Sequence, residues 1–150
     1  MAKSLCAKQL LPLSPLLQAA AVGRDDSGWL VKVDGPEQAA CPHCSHRSAA
    51  RHSRYVRTVK DLPAFGAPVS IQLRVNRFRC LNNGCAAQYF TAGLPGVAAR
   101  RGRRTCRADT IVLLVGHALG GRPGERLIGR IGLPVSDDPA ALEEESQACR

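Results

Sequence analysis

Four of the seven cysteines in this chain fall into two close pairs, and their spacing constrains the fold more than any other feature. Cys41 and Cys44 enclose Pro-His, and Cys80 and Cys85 enclose Leu-Asn-Asn-Gly. Thiolates at this spacing lie on a tight turn and point the same way, so two such turns can surround one tetrahedral zinc ion. Four thiolates fill the coordination shell and leave no position for water or substrate. The spacing therefore predicts a structural zinc site made by Cys41, Cys44, Cys80 and Cys85.

Other interpretations of these cysteines stay open. Disulfides and unpaired buried thiols are the alternatives, and one of His43, His46 and His52 could replace a cysteine as ligand. The odd total of seven cysteines argues against a complete disulfide framework. The remaining three have no close partner in the sequence and are expected to be free thiols: Cys6, Cys106 and Cys149.

The cellular location follows from the thiols and from the first 23 residues. Free thiols beside a zinc site suit a reducing compartment, so we expect the cytoplasm. Residues 1–23 have some character of a signal peptide, but prolines and polar residues interrupt the apolar run. No stretch of the chain approaches the length of a membrane span, so no membrane partner is expected.

Basic side chains are concentrated in the middle of the chain. Between Cys41 and Ile131 there are 16 Lys or Arg and three acids, a net charge of +13, whereas the whole chain carries +9. This charge attracts a polyanion, and the arginine fork matches phosphate oxygens. A solvated basic surface is the alternative, but clustering around the cysteine pairs favours nucleic acid. We expect a nucleic acid as the partner, contacted by Arg54, Arg57, Arg77, Arg79, Arg100, Arg101, Arg103, Arg104, Arg107, Arg122, Arg126 and Arg130.

The apolar pattern predicts an α+β chain that begins with a β-hairpin. Apolar runs at 16–22 and 29–33 flank a turn signal at 24–28, within an N-terminal region of residues 1–40. Trp29 is expected to belong to the core of the fold.

A zinc-ribbon-like module is predicted over residues 41–98. Between the cysteine pairs, 54–60 and 69–79 are expected to be strands, joined by a turn at 63–68. In the second strand apolar residues alternate with polar ones, which is typical of a half-buried strand with a polar, basic outer face.

Residues 99–136 have the outline of a C-terminal helix-turn-helix. Apolar residues recur at helical spacing over 108–119, after Thr105 as N-cap and before Gly120 as the stop. A second apolar stripe, ended by Gly132, predicts a second helix. Any helical hairpin has this outline, so the assignment gains its weight from the basic module that precedes it.

Several short motifs, taken together, resemble a known family. They are Cys41-Pro-His-Cys44, Asp61-Leu62-Pro63, Arg77-Phe78-Arg79-Cys80, Asn83-Gly84-Cys85, Phe90-Thr91, Leu119-Gly120-Gly121 and Gly132-Leu133-Pro134-Val135-Ser136. In order and spacing they are similar to the zinc-finger and helix-turn-helix segments of ISL-three-type insertion-sequence transposases. The resemblance runs from about Leu10 to Ser136. It is weaker at Ala86-Ala87-Gln88, where such proteins usually have a more basic stretch.

The resemblance implies a function. In such proteins the zinc module and the helix-turn-helix bind DNA, so the resemblance implies double-stranded DNA as the partner, with the terminal inverted repeats of the element as the expected sites. Cleavage and strand transfer come from a later DDE domain with three metal-binding carboxylates. This sequence reaches Arg150 before any such domain. We therefore expect a truncated, non-catalytic, DNA-binding N-terminal fragment that could also form a homo-oligomer.

The acidic residues agree with a non-catalytic role. Asp61, Asp109 and Glu125 are scattered, and neither they nor the acids of the tail look like a metal-binding triad. Two alternatives remain: a zinc-ribbon module that binds protein or RNA, and a DNA-binding subunit of a recombinase completed by a second polypeptide.

The tail at 137–150 is unusual for this family. A third helix of the helix-turn-helix would contain Asp137, Asp138 and Glu143-Glu144-Glu145, whose charges repel DNA. Codons for three consecutive glutamates, read from their second base, encode Lys or Arg. We therefore interpret 137–150 as an aberrant acidic tail produced by a frame shift.

Overall fold

The computed structural model describes residues 18–94 and 96–133. Over these ranges the fold is α+β, with strands followed by two helices. We name the elements β1 Gln18–Asp25, β2 Gly28–Asp34, β3 Ala39–Ala40, β4 Arg47–Ser48, β5 Arg51–Ala64, β6 Ala67–Arg79, β7 Tyr89–Thr91, α1 Cys106–Leu119 and α2 Gly121–Arg130. None of the helices described is long and apolar enough to cross a lipid bilayer. The acidic tail and the predicted third helix lie outside the described residues.

One main sheet joins the N-terminal hairpin to the strands between the cysteine pairs. Its order is β1-β2-β6-β5, and β7 pairs with the end of β6. β2 and β6 are parallel, with Val31 opposite Ile71, and the other pairs are antiparallel. The predicted hairpin is confirmed, and the structure adds its pairing with β6. The division of the chain at residues 40 and 98 stays a prediction.

The alternation along β6 decides which face of the sheet is buried. Val69, Ile71, Leu73 and Val75 are at most 3% exposed and pack with the loop that follows β7. Burying an aliphatic side chain of this size contributes about 1.5–3 kcal/mol, so this row stabilises the whole sheet. Trp29 packs against the same core, as predicted, and its indole Nε1 donates a hydrogen bond to the Ala64 carbonyl at 3.1 Å.

The turn between β5 and β6 is shorter than the sequence indicates. β5 continues through Pro63, and the turn consists of Phe65 and Gly66, with φ of 51° and 71°. Two residues with positive φ are typical of a tight hairpin turn. A register shift between Asp61 and Ala64 accommodates Pro63, which cannot donate a hydrogen bond to the neighbouring strand.

The two helices begin and end close to the predicted residues. The Thr105 hydroxyl accepts a hydrogen bond from the Ala108 N–H at 3.3 Å and caps α1. Gly120, with φ of 74°, separates α1 from α2. Val112 of α1 and Ile128 of α2 share a small apolar cluster. The helix pair is confirmed, while the helix-turn-helix assignment stays a prediction because it needs the third helix.

Candidate zinc site and basic surface

The first cysteine pair lies in a short hairpin. β3 and β4 pair through Ala39 with Ser48 and Ala40 with Arg47. Inside this hairpin the Cys41 N–H donates to the His46 carbonyl at 2.9 Å, and the Ser45 N–H donates to the Cys41 carbonyl at 2.8 Å. These bonds close the turn and fix Cys41 and Cys44 within it.

The second cysteine pair lies in a loop that Asn82 organises. The Cys85 N–H donates to the Asn82 carbonyl, and the Gly84 N–H donates to the Asn82 side-chain oxygen, both at 3.0 Å. The Cys80 N–H donates to the Gln88 carbonyl at 2.9 Å, just before β7. Asn82 and Gly84 therefore form the tight turn that Asn and Gly residues favour.

The two turns bring the four sulfur atoms together. All four lie within 4.8 Å of one another, with Cys41 and Cys85 at 3.8 Å and Cys44 and Cys80 at 3.5 Å. A tetrahedron with zinc–sulfur bonds of ~2.3 Å has sulfur–sulfur edges of about 3.8 Å, so the spacing fits a zinc ion. A disulfide needs ~2.05 Å, and all four cysteines are free.

The thiols differ in acidity before any metal binds. A hydrogen bond from the His46 N–H holds the pKa of Cys44 down at about 6. At Cys80 the Asn82 N–H favours the thiolate, but burial and the neighbouring thiols outweigh it and raise the pKa to about 12. The pKa of Cys85 is also raised, because burial and its neighbours outweigh the Ala87 N–H. Four thiolates can share this small volume only around a cation.

A small apolar core supports the sulfur cluster from behind. Phe78 of β6 and Phe90 of β7 are at most 5% exposed, and their ring centroids are 5.9 Å apart. They pack with Cys41, which is itself buried. Zinc suits an all-sulfur tetrahedral set better than harder divalent ions do, so the donor chemistry fits the predicted cofactor.

The other cysteines and the histidines that the structure describes do not belong to the sulfur cluster. The group of metal-binding side chains among the described residues contains the four cysteines and no histidine. Cys106 is disulfide-bonded, so the expectation of a free thiol is wrong at this position. Cys6 and Cys149 lie outside the described residues.

The structure divides the twelve arginines of the predicted DNA surface into two sets. Nine of them are exposed: Arg54, Arg77, Arg79, Arg100, Arg101, Arg103, Arg122, Arg126 and Arg130. The other three, Arg57, Arg104 and Arg107, are buried or half-buried and have partners within the chain. Phosphate contacts from these three would have to replace bonds that hold the fold together.

Arg57 anchors the loop between β7 and α1. Its guanidinium donates hydrogen bonds to the carbonyls of Ala99 at 2.8 Å, Gly102 at 2.9 Å and Arg100. These bonds hold the loop against the sheet. The Arg57 guanidinium thus satisfies backbone carbonyls of a loop that lies outside the strands and helices.

Arg107 attaches the start of α1 to the edge of β5, whereas Arg104 pairs with a residue of α1 itself. Arg104 forms an ion pair with Asp109, and the two side chains are 8% and 2% exposed. Arg107 forms an ion pair with Asp61, which also accepts a hydrogen bond from the Thr105 hydroxyl at 2.7 Å. The Arg107–Asp61 pair has no local sign in the sequence, because its two residues are 46 positions apart.

Five basic side chains that the sequence did not assign to the DNA surface are exposed on the main sheet: Arg24, Lys32, Arg51, Lys60 and Arg74. Sequence reasoning could have identified one of them. Side chains alternate between the two faces of a strand, so Lys60, six residues after Arg54, is expected on the same face as Arg54.

Comparison with known proteins agrees with the cysteine site. Residues 37–85 match the family model of the zinc-finger of transposase IS204/IS1001/IS1096/IS1165. No curated protein and no solved structure matches the chain. The matched residues include both cysteine pairs and the strands β5 and β6 between them. This part of the chain is therefore similar to a transposase-type zinc finger, and its four clustered cysteines fit zinc.

Proposed function

We propose that this chain is the DNA-binding N-terminal part of an insertion-sequence transposase. The observation that carries the proposal is the match of residues 37–85 to a transposase zinc finger, which coincides with four sulfur atoms spaced as zinc ligands. In this proposal Cys41, Cys44, Cys80 and Cys85 hold one zinc ion. The ion is structural, because four thiolates saturate its shell.

The exposed arginines support DNA as the partner. Side chains from the zinc module and from α2 carry guanidinium groups into solvent, among them Arg77 and Arg79 of β6 and Arg126 of α2. Guanidinium groups bind phosphate oxygens in a bidentate geometry. We assign the terminal inverted repeats as specific sites, read by a helix-turn-helix that includes α1 and α2. Binding by a homo-oligomer in the cytoplasm belongs to the same proposal.

The buried acids support binding rather than catalysis by this part of the chain. Asp61 and Asp109 are each at most 2% exposed, and each forms an ion pair with an arginine. A carboxylate held in this way is not placed to bind the hard metal ions of phosphoryl transfer. We propose that DNA cleavage is performed by a DDE domain outside the described residues.

Equilibrium binding to duplex DNA tests the proposal. The zinc-loaded protein should bind a labelled duplex, and a variant with Arg122, Arg126 and Arg130 replaced by glutamine should bind it more weakly. The same positions replaced by lysine keep the charge and serve as the control. Affinity for RNA or for a protein without affinity for duplex DNA would contradict the proposal and favour an interaction module.

A further inference from the structure

The main sheet carries a row of exposed cations on the face opposite its apolar core. Lys32 of β2 and Thr58 of β5 both lie opposite Gln72, and Lys60 lies opposite Ser70. The Lys60 ammonium donates a hydrogen bond to the Ser70 hydroxyl at 2.8 Å, so these side chains share one face. We call this side of the sheet the open face.

A β-bulge adds a further arginine to the open face. The register of β5 shifts between Arg51 and Ser53, so Arg51 lies opposite Phe78 while Arg54 lies opposite Asn76. Since Asn76 and Phe78 are two residues apart on β6, Arg51 and Arg54 fall on the same face, at the end where Phe78 is covered by the small core beneath the cysteines. Without the bulge, residues three apart on a strand would point to opposite faces. Bulges commonly re-aim side chains in this way.

A small cavity with three guanidinium groups lies beside the bulge. Arg51, Arg54 and Arg74 line a volume of about 280 Å³ at one end of the open face. Asp34 and Glu37 line it too, and Asp34 forms an ion pair with Arg74 at 3.1 Å. Three cations against two carboxylates leave the cavity positive, and Lys32 and Lys60 extend the positive charge along the face.

The width of the sheet decides how DNA could meet this face. Four strands spaced ~4.8 Å apart span about 14 Å between the outer strand axes. The major groove of B-DNA is ~12 Å wide and admits a helix or a two-stranded ribbon. A four-stranded sheet is too wide to enter it, so its side chains can reach phosphates but not base edges.

We propose that the open face binds the phosphate backbone of duplex DNA, with one phosphate at the cavity of Arg51, Arg54 and Arg74 and others at Lys32 and Lys60. This inference rests on the proposed function and names a surface for it. Contacts to phosphates carry no base specificity, because the phosphate backbone is the same for every sequence. They position the duplex on the protein. Base reading is left to other parts of the chain.

The test compares two triple variants of the full chain. In one, Lys32, Arg54 and Lys60 become glutamine, and in the other Lys32→Arg, Arg54→Lys and Lys60→Arg keep the charge. The probes are a duplex of arbitrary sequence and one of its separated strands, each titrated at several salt concentrations. Zinc content and thermal unfolding show that both variants are folded.

We expect the glutamine variant to bind the duplex about tenfold more weakly or worse, with the slope of log affinity against log salt smaller by about 0.9 per lost contact, or about 2.7 in all. The charge-retaining variant should keep the slope. An unchanged slope in the glutamine variant, or a loss confined to the single strand, overturns the inference. If the unaltered chain fails to bind any duplex, the proposed function fails together with this inference. If the unaltered chain binds duplex DNA and the glutamine substitutions do not weaken that binding, only this inference fails and the proposed function survives.

Discussion

At the residue scale, three of the four cysteines are prepared for a metal by backbone hydrogen bonds rather than by charged neighbours. N–H groups of His46, Asn82 and Ala87 point at the sulfur atoms of Cys44, Cys80 and Cys85. Such bonds stabilise thiolates and keep the side chains oriented. The spacing of the cysteines predicts this site well, because each pair and its turn residues are local in sequence.

Zinc binding should release protons. The pKa of Cys80 is about 12 and that of Cys85 is also raised, so the metal-free protein holds protons on both at neutral pH. Zinc needs the thiolates, so each of these cysteines should lose a proton on binding, and zinc affinity should fall as pH falls. Titration of the metal-free protein with zinc in weak buffer with a pH indicator measures the release. Zinc binding at neutral pH without release of protons would contradict this description of the site.

At the scale of elements, backbone hydrogen bonds and the Arg107–Asp61 ion pair connect the start of α1 to the sheet. The Lys60 N–H donates to the Arg103 carbonyl at 2.8 Å, and the Thr105 N–H donates to the Lys60 carbonyl at 2.9 Å. The chain just before α1 thus runs along the edge of β5, and the Arg104–Asp109 pair lies at this junction. The junction fixes where the helices leave the sheet.

The Arg104–Asp109 pair should matter far more to stability than a surface pair of the same residue types. Asp109→Ala leaves a buried guanidinium without its carboxylate, which costs about 3–5 kcal/mol. Asp34→Ala is the matched control. Asp34 forms an ion pair with Arg74, and the two side chains are 42% and 49% exposed. An exposed ion pair contributes about 0–1 kcal/mol to stability. Urea unfolding of both variants gives the two free energies. Equal losses would mean that the buried pair at the start of α1 contributes no more to stability than the exposed one.

The elements also show what sequence reasoning can and cannot reach. Alternation over 69–79 and helical spacing over 108–119 predict β6 and α1 because both patterns are local. The parallel pairing of β2 with β6, the continuation of β5 through Pro63 and the partners of Arg57 depend on residues far apart in the chain. For that reason a count of basic residues overestimates how many arginines are exposed.

At the scale of the whole molecule, the described residues contain three apolar clusters, and only one of them surrounds the cysteines. The cluster of Phe78 and Phe90 is small and lies against the four sulfur atoms. The larger cluster, which includes Ile71 and Leu73, lies on the buried face of the main sheet. Zinc and the main sheet core therefore stabilise different parts of the protein.

Removal of zinc should loosen one part of the molecule before the rest. A chelator should accelerate amide hydrogen exchange in residues 41–48 and 80–91, because the sulfur cluster and its small core lose the ion that holds them. Residues 29–33 and 69–73 should keep more protection, since their core does not include the cysteines. Exchange followed by mass spectrometry, with and without chelator, compares the two parts. Unchanged protection at 80–91 in protein shown to be metal-free would contradict a structural role for zinc.

The central claim is that a zinc-loaded basic fold binds duplex DNA through phosphates. The most direct measurement is fluorescence anisotropy of a labelled duplex titrated with the full chain at a series of salt concentrations, with zinc content measured on the same sample. We predict one zinc per chain and an affinity whose logarithm falls linearly with the logarithm of salt concentration, by about 0.9 for each phosphate contacted. Zinc-loaded protein that does not bind the duplex, even at low salt, would contradict the claim.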